Sequence, residues 1–234
     1  WPRSSSCGST LPRAMATGRV QLLPNHLVER LEMAASGSKA IGVVAVNQAN
    51  GNRHLIHGDL VVLAASTIQS VSILLRSSEQ CQKGGLVDPS GRLGTRLMDH
   101  VSTSQFFAVP GRSSGPQPPL TGAGSFFVPF GRHVDQSPDR PRFQGGYGLW
   151  GGIGRFDPPA VLKRRQNTTT GFLIGHGEVL PRAHNRVTLQ GHVDRWDVAV
   201  PHINCQWSAN ELAMVDHMRC LLYTSDAADE CDSV

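Results

Sequence analysis

The chain has little of what marks a membrane protein, a disulfide scaffold or a metalloenzyme. No apolar run approaches the roughly 20 residues that a membrane-spanning helix needs. Charged residues are 17% of the chain and the formal charge is only +4, too small and too scattered to imply a nucleic-acid partner. Lys163-Arg164-Arg165 is the one basic cluster, and it sits beside Pro158-Pro159, so it reads as a solvated loop. The five cysteines (Cys7, Cys81, Cys205, Cys220 and Cys231) form no C-x-x-C pair. They read as buried or incidental thiols and leave the redox compartment open. None of the ten histidines pairs at metal-ligand spacing, so no metal site is expected. No G-x-S-x-G elbow supports acyl transfer. Aromatics are only 6% of the residues.

Glycine and proline, by contrast, are abundant at 25 and 15. That composition favours turns and short strands over long helices. Hydrophobic residues make up 39%, which fits a folded chain.

Arg19 to Met33 carries apolar residues at mixed spacing and reads as two short strands broken near Pro24-Asn25. The run Ala40 to Val46 (AIGVVAV) reads as a strand, Asn50-Gly51 as a hairpin turn, and His54 to His57 as the return strand. Asp59 to Ala65 (DLVVLAA) is a continuous apolar run that suits a parallel strand buried on both faces. Ser66 is a plausible N-cap for a helix over Thr67 to Arg76, with Ile68, Val71, Leu74 and Leu75 on one face. A strand feeding a helix directly is where α/β folds place cofactors.

Gly84 to His100 reads mainly as loop, and Arg112 to Pro119 as linker. Val101 to Val109 reads as a strand. Ser125 to Phe130, Phe143 to Ile153, Thr169 to Gly175, Arg186 to Leu189 and Ala199 to Trp207 follow as five more, suggesting one antiparallel sheet. Gly146-Tyr147-Gly148-Leu149-Trp150-Gly151 matches G-x-G-x-x-G, but Asp139 to Arg142 precedes it and Pro158-Pro159 follows soon after. A phosphate cradle needs a buried strand before it and a helix after it, so this stretch reads as a strand of small residues. Asp99-His100, an acid–histidine neighbour pair, reads as a surface or capping pair.

Ser208 to Met218 starts a helix, with Ser208 as N-cap and Glu211 as its capping-box partner. The pattern then breaks. One choice of codons for Cys220 to Glu230 (CLLYTSDAADE) spells the adaptor of transposase-based sequencing libraries. Residues 220–234 are therefore expected to be an adaptor-derived tail that packs poorly. Without its four acids the charge rises to +8.

The run Asp59 to Ser78 (DLVVLAASTIQSVSILLRSS) resembles the second signature of glucose-methanol-choline (GMC) oxidoreductases. Ala64, Ala65, Ser70, Leu74 and Leu75 fit that signature. Ser66 stands where Gly is usual and Val71 where Pro is usual, departures that match a divergent, sugar-oxidising branch. Gly91 to His100 (GRLGTRLMDH) resembles the family's G-x-x-L-x-D-H element. Phe143 to Arg155 and Glu178 to Trp207 resemble its substrate-domain strands, with Asp194-Arg195-Trp196 as a turn. The similarity runs from about residue 7 to residue 219.

The resemblance implies an α+β fold: part of a Rossmann-like FAD-binding domain over residues 1–100, and part of an antiparallel-sheet substrate domain over 101–219. It implies an FAD enzyme that oxidises a sugar or other alcohol by hydride transfer to flavin, with the electron acceptor unspecified. By family pattern Val28 would meet the adenine through its backbone, and the turn Ala64-Ala65-Ser66 would contact FAD. Ser102, Ser104 and Gln144 would face the substrate cavity. The catalytic His and the glycine fingerprint would lie beyond Arg219 and before Trp1, so no catalytic residue is expected in this chain and no activity from it alone. The rival reading is a non-catalytic, β-rich protein that binds carbohydrate or a partner.

Overall fold

Asn50-Gly51 sets the first piece of structure. In the computed structural model, which describes residues 5–78, 83–110, 125–130, 143–153, 160 and 168–227, Gly51 has a φ of 76°, which glycine adopts without strain. The turn joins β2 (Ala40–Asn47) to β3 (Arg53–His57). With β1 (His26–Met33) they form an antiparallel sheet of order β1-β2-β3. β2 is central and β-branched. Its Val44, Ala45 and Val46 are almost fully buried, each larger side chain contributing about 1.5–3 kcal/mol.

Helix α2 (Ser66–Arg76) closes over β1, after the short α1 (Thr10–Met15). The end of α2 binds groups of β1 that the ladder does not use. Ser77 Oγ accepts from Leu31 N–H at 2.7 Å, and Arg76 Nε donates to the Glu29 carbonyl at 2.6 Å. Glu29 lies at a register shift between Val28 and Arg30, a bulge that frees its carbonyl. The buried face of α2 is Ser72, Ile73 and Arg76. The expected stripe of Ile68, Val71, Leu74 and Leu75 is only half-buried.

Three sequence expectations fail in this part. Residues 19–25 form no strand, and Val20, Leu22 and Leu23 stay exposed; Asn25 at φ 57° turns the chain just before β1. Asp59 to Ala65 is neither a strand nor buried: Leu60 is 83% and Val62 77% exposed. No strand among the described residues pairs with it, and an apolar run without ladder neighbours has nothing to be buried between. Finally, Ser66 does not cap α2. It has a φ of 62°, the residue at the cap position is Ala65, and no side chain caps that end.

Strands β4 (His100–Pro110), β5 (Ser125–Phe130), β6 (Tyr147–Ile153) and β7 (Thr168–Glu178) form a second antiparallel sheet of order β4-β7-β6-β5. Helix α3 (Ala209–Ala227) packs on one face. Gly175 and Gly177 make this possible: a Cβ on either would overlap the sulfur of Met218 or Met214. The shared core holds Val101, Tyr147, Leu149, Met214, Met218 and Leu222. β8 (Arg186–Val193) and β9 (Ala199–Asn204) form a separate two-stranded sheet, with a single bridge from Arg186 to Thr95. The six later strands therefore make two sheets rather than one. Asp194 ends the β8–β9 turn by accepting from Trp196 N–H and Val198 N–H, with Asp197 at φ 62°.

The fold is α+β, in two compact units. One comprises Pro2–Leu97 with Arg182–Cys205; the other comprises Met98–Pro181 and the chain from Gln206 onward. Inside the first unit, β8–β9 is tied down at several points. Arg76 Nη1 donates to the Ala199 carbonyl at 2.9 Å, Arg53 Nη2 reaches the carbonyls of Trp196 and Asp197, and Trp196 Nε1 donates to the Gln48 carbonyl.

The expected break after Arg219 is absent. α3 runs on to Ala227, Leu221 packs against the core, and Leu222 is 2% exposed. Met214, Met218 and Leu222 fall at successive spacings of four, so the apolar stripe continues across the presumed boundary. Of the thiols that read as buried or incidental, Cys7, Cys205 and Cys220 are exposed. The expectations for Arg112 to Pro119 and Lys163-Arg164-Arg165 lie outside the described residues.

Candidate functional site

A groove of about 560 Å³ opens in the first unit beside β1. It brings together three of the four cofactor residues expected from sequence: Val28 on one wall, Ala64 and Ala65 on the other. Ser66 lies next to Ala65 but does not line it. Gly42 forms part of the lining. It pairs with His57 across β2–β3, and a Cβ there would overlap the Ile56 carbonyl. Val61 and Leu63, half-buried, line the groove from the segment that precedes α2.

Polarity is sparse and neutral. The side chains of His26, His57 and Gln69 are the polar groups of the lining, and no Asp, Glu, Lys or Arg contributes to it. His26 Nδ1 lies 2.8 Å from the Pro24 carbonyl, which fixes that ring at the strand entrance. Such a groove suits a flat, uncharged heterocycle and offers nothing to neutralise phosphate. His57 and Gln69 escaped sequence reasoning. His57 was legible only as the last residue of a hairpin strand, and Gln69 only as a polar helix position.

The expected substrate-facing residues lie in the second unit. Ser102 and Ser104 are exposed on β4, on the sheet face opposite α3, where Ser102 pairs with His176 and Ser104 with Ile174. The helix-covered face takes the alternate residues, beginning with Val101. Gln144 is held apart from them at the start of α3: its N–H donates to Asn210 Oδ1, and its carbonyl accepts from Asn210 Nδ2. Gly146 to Gly151 falls largely within β6 and opens no helix, so it is no phosphate cradle. Asp99 bonds the neighbouring His100 N–H, as a capping pair would.

Two buried polar groups support this unit. Glu211 is fully buried. Burial pushes its carboxyl up, but bonds from Ser208 Oγ, the N–H groups of Ser208 and Leu180, and Asn210 outweigh that and bring it down to about 2. The Tyr147 hydroxyl lies 2.8 Å from His217 Nδ1, and burial raises its pKa to about 12. Among the described residues no group of His, Cys, Asp and Glu has a metal-holding arrangement, and no helix is long and apolar enough to cross a membrane.

Comparison with known proteins defines the class. The family model of GMC oxidoreductases matches residues 2–102 of the chain. Over 90 residues it is 32% identical to the 2-methyl-1,2-propanediol dehydrogenase of Mycolicibacterium austroafricanum. That alignment covers 38% of this chain and 16% of the relative, so the chain spans a small part of the relative's length.

Proposed function

We propose that the chain is part of an FAD-dependent oxidoreductase that acts on the CH–OH group of a sugar or other alcohol. Residues 1–100 would contribute to its FAD-binding domain and residues 101–219 to its substrate domain, except that Arg182–Cys205 packs with the first unit. The observation that carries this reading is the groove in which Val28, Ala64 and Ala65 converge, within the segment that matches the family. Those residues fit one end of FAD. The groove is apolar, neutral and lined along one wall by β1, as the adenine ring requires. The pyrophosphate finds no partner there, since no cation lines the groove. When bound, FAD supplies the flavin that accepts hydride. The part assigned to this chain is to seat the adenine, with the Val28 backbone against its edge and the Ala64-Ala65-Ser66 turn beside it, and to offer Ser102 and Ser104 to the alcohol. No residue here is assigned the role of base, so the chain alone is expected to be inactive.

The test is a ligand series followed by fluorescence. FAD and AMP are expected to bind the chain comparably and weakly, at about 0.1–1 mM, because only the adenine end is held. FMN, which lacks adenine, is expected not to bind. A Gly42→Val substitution, which crowds the lining, is expected to abolish FAD and AMP binding. Equal binding of FMN and FAD would remove the groove from the cofactor site.

A further inference from the structure

A second groove, of about 510 Å³, opens in the first unit and shares no lining residue with the one beside β1. The end of α2, the loop over residues 86–95 and the start of β8 form its walls. The loop is held close to both neighbours. Gly94, at φ 76°, accepts from Val187 N–H at 2.7 Å, and a Cβ on it would overlap the Val187 carbonyl. Leu86 bridges to Ser78 and Thr95 to Arg186, which pins the loop at each end. The lining is aliphatic with two charges. Leu75, Leu86, Val87, Leu93 and Leu189 supply the apolar part, and Asp88 and Arg186 the charges. The two charges are not equally available. Asp88 is taken up by the loop: its Oδ2 accepts from Leu93 N–H at 2.8 Å, and its Oδ1 from the N–H and hydroxyl of Ser90 at 3.1 and 2.7 Å. Those bonds, that of Leu93 first, hold the carboxyl below its ordinary pKa. Arg186 is exposed, and its Nε and Nη2 share the Ala183 carbonyl at 3.1 and 2.8 Å. A guanidinium has a side edge, Nε with Nη2, and an end edge, Nη1 with Nη2, and a carboxylate can take either through two parallel bonds. Ala183 occupies the side edge and so orients the plane. The end edge is left to a ligand.

We infer that this groove binds an amphiphilic monocarboxylate, an acid with a saturated apolar tail, with its carboxylate on the end edge of Arg186 and its tail along the leucines. The inference goes beyond the oxidoreductase reading and does not rest on it. Charge sets the sign of the ligand. Asp88 is already satisfied within its own loop, so an anion meets a cation here and a cation meets no open partner. Composition sets the body. The described lining has five aliphatic side chains of Leu and Val around the opening and no aromatic ring, so it offers a tail dispersion contacts and offers a flat heterocycle nothing to stack on. Length follows from burial: each methylene taken from water is worth about fourfold in affinity, so an acid without a tail has only the guanidinium to hold it. A peptide that ends in an apolar residue shares this chemistry, and the test separates it from a free acid.

The test uses the whole chain, sodium octanoate as the probe, and the leucine and valine methyl resonances of the isotope-labelled protein. Octanoate is expected to shift the methyls of Val87 and Leu93. Acetate, which lacks the tail, and octylammonium, which reverses the charge, are expected to leave them in place. R186M keeps an apolar stem without the guanidinium and is expected to bind octanoate about tenfold more weakly, the loss of one charged hydrogen-bonded pair. V87E sets a negative charge in the lining at a position that is 46% exposed, and is expected to abolish binding; it decides the matter should R186M fail to fold. Octanoate binding unchanged in R186M or in V87E would overturn the inference, as would octylammonium that binds as tightly as octanoate. The groove beside β1 has no cation in its lining, so octanoate held there would be indifferent to R186M and count against the site. Tighter binding of N-acetylleucine than of octanoate would overturn the free acid in favour of a peptide terminus.

Discussion

Arg76 at the end of α2 donates its Nε–H to the carbonyl of Glu29 at 2.6 Å while only 6% exposed. The same guanidinium reaches the Ala199 carbonyl, so one buried cation ties helix, bulge and second hairpin together. Desolvation lowers its pKa, opposed by the negative charges of Glu29 and Asp194. Replacing Arg76 by Ala leaves two carbonyls unpaired and a void, and is expected to cost about 3–5 kcal/mol. Arg76→Met fills the void and is expected to cost less. Urea unfolding monitored at Trp196 measures both; equal costs would show that the lost hydrogen bonds, not the void, set the penalty.

Ser66 at φ 62° occupies a conformation that side chains resist. Ser66→Gly is expected to stabilise the chain by about 1 kcal/mol, and Ser66→Val to destabilise it by more. Thermal unfolding of the two variants gives the order, and a less stable Gly variant would remove strain as the explanation.

The Ser208–Glu211 capping box carries a pH signature. Glu211 is held near 2 against an ordinary 4.5, so the folded state keeps it ionised where the unfolded chain would protonate it. The resulting stability, up to about 3 kcal/mol, is complete above pH 4.5 and is lost as pH falls toward 2. Glu211→Gln is expected to flatten that acid limb. Ser208→Ala is expected to cost about 1 kcal/mol through the cap. Chemical denaturation repeated from pH 2 to 7 separates the two.

Leu222 tests whether α3 is one packing unit beyond Arg219. Its side chain is 2% exposed in the core with Met218, and Leu222→Ala is expected to cost about 2–4 kcal/mol. A neutral substitution, with protease removing residues after Arg219 freely, would return those residues to the status of a loose tail.

Signals with a local mechanism were legible in the sequence. Asn50-Gly51 needs only its own backbone preferences, and Ser208 with Glu211 needs only one turn of helix, so both formed as read. Signals that depend on distant partners were not legible. Asp59 to Ala65 looked buried because its composition is that of a central strand, but burial requires neighbours. β8 and β9 looked like members of one long sheet, because period-two patterning says that a strand exists and not which sheet takes it. At the site, Val28 and the two alanines converge, yet nothing in their spacing announced His57 or Gln69. Those residues reach the groove through strand register and helix phase, which sequence alone leaves open.

The exposure of Leu60 and Val62 also has a consequence for handling the chain. The segment Asp59 to Ala65 is β-prone, free of proline and nearly free of charge, the composition that nucleates strand pairing between molecules. Two copies meeting through it would each satisfy the other's open backbone. Self-association should therefore rise with concentration and fall when the run is interrupted by charge. Light scattering across a dilution series of wild type and of a Leu60→Lys/Val62→Glu variant gives the comparison. A variant that clouds at the same concentration would move the sticky surface elsewhere.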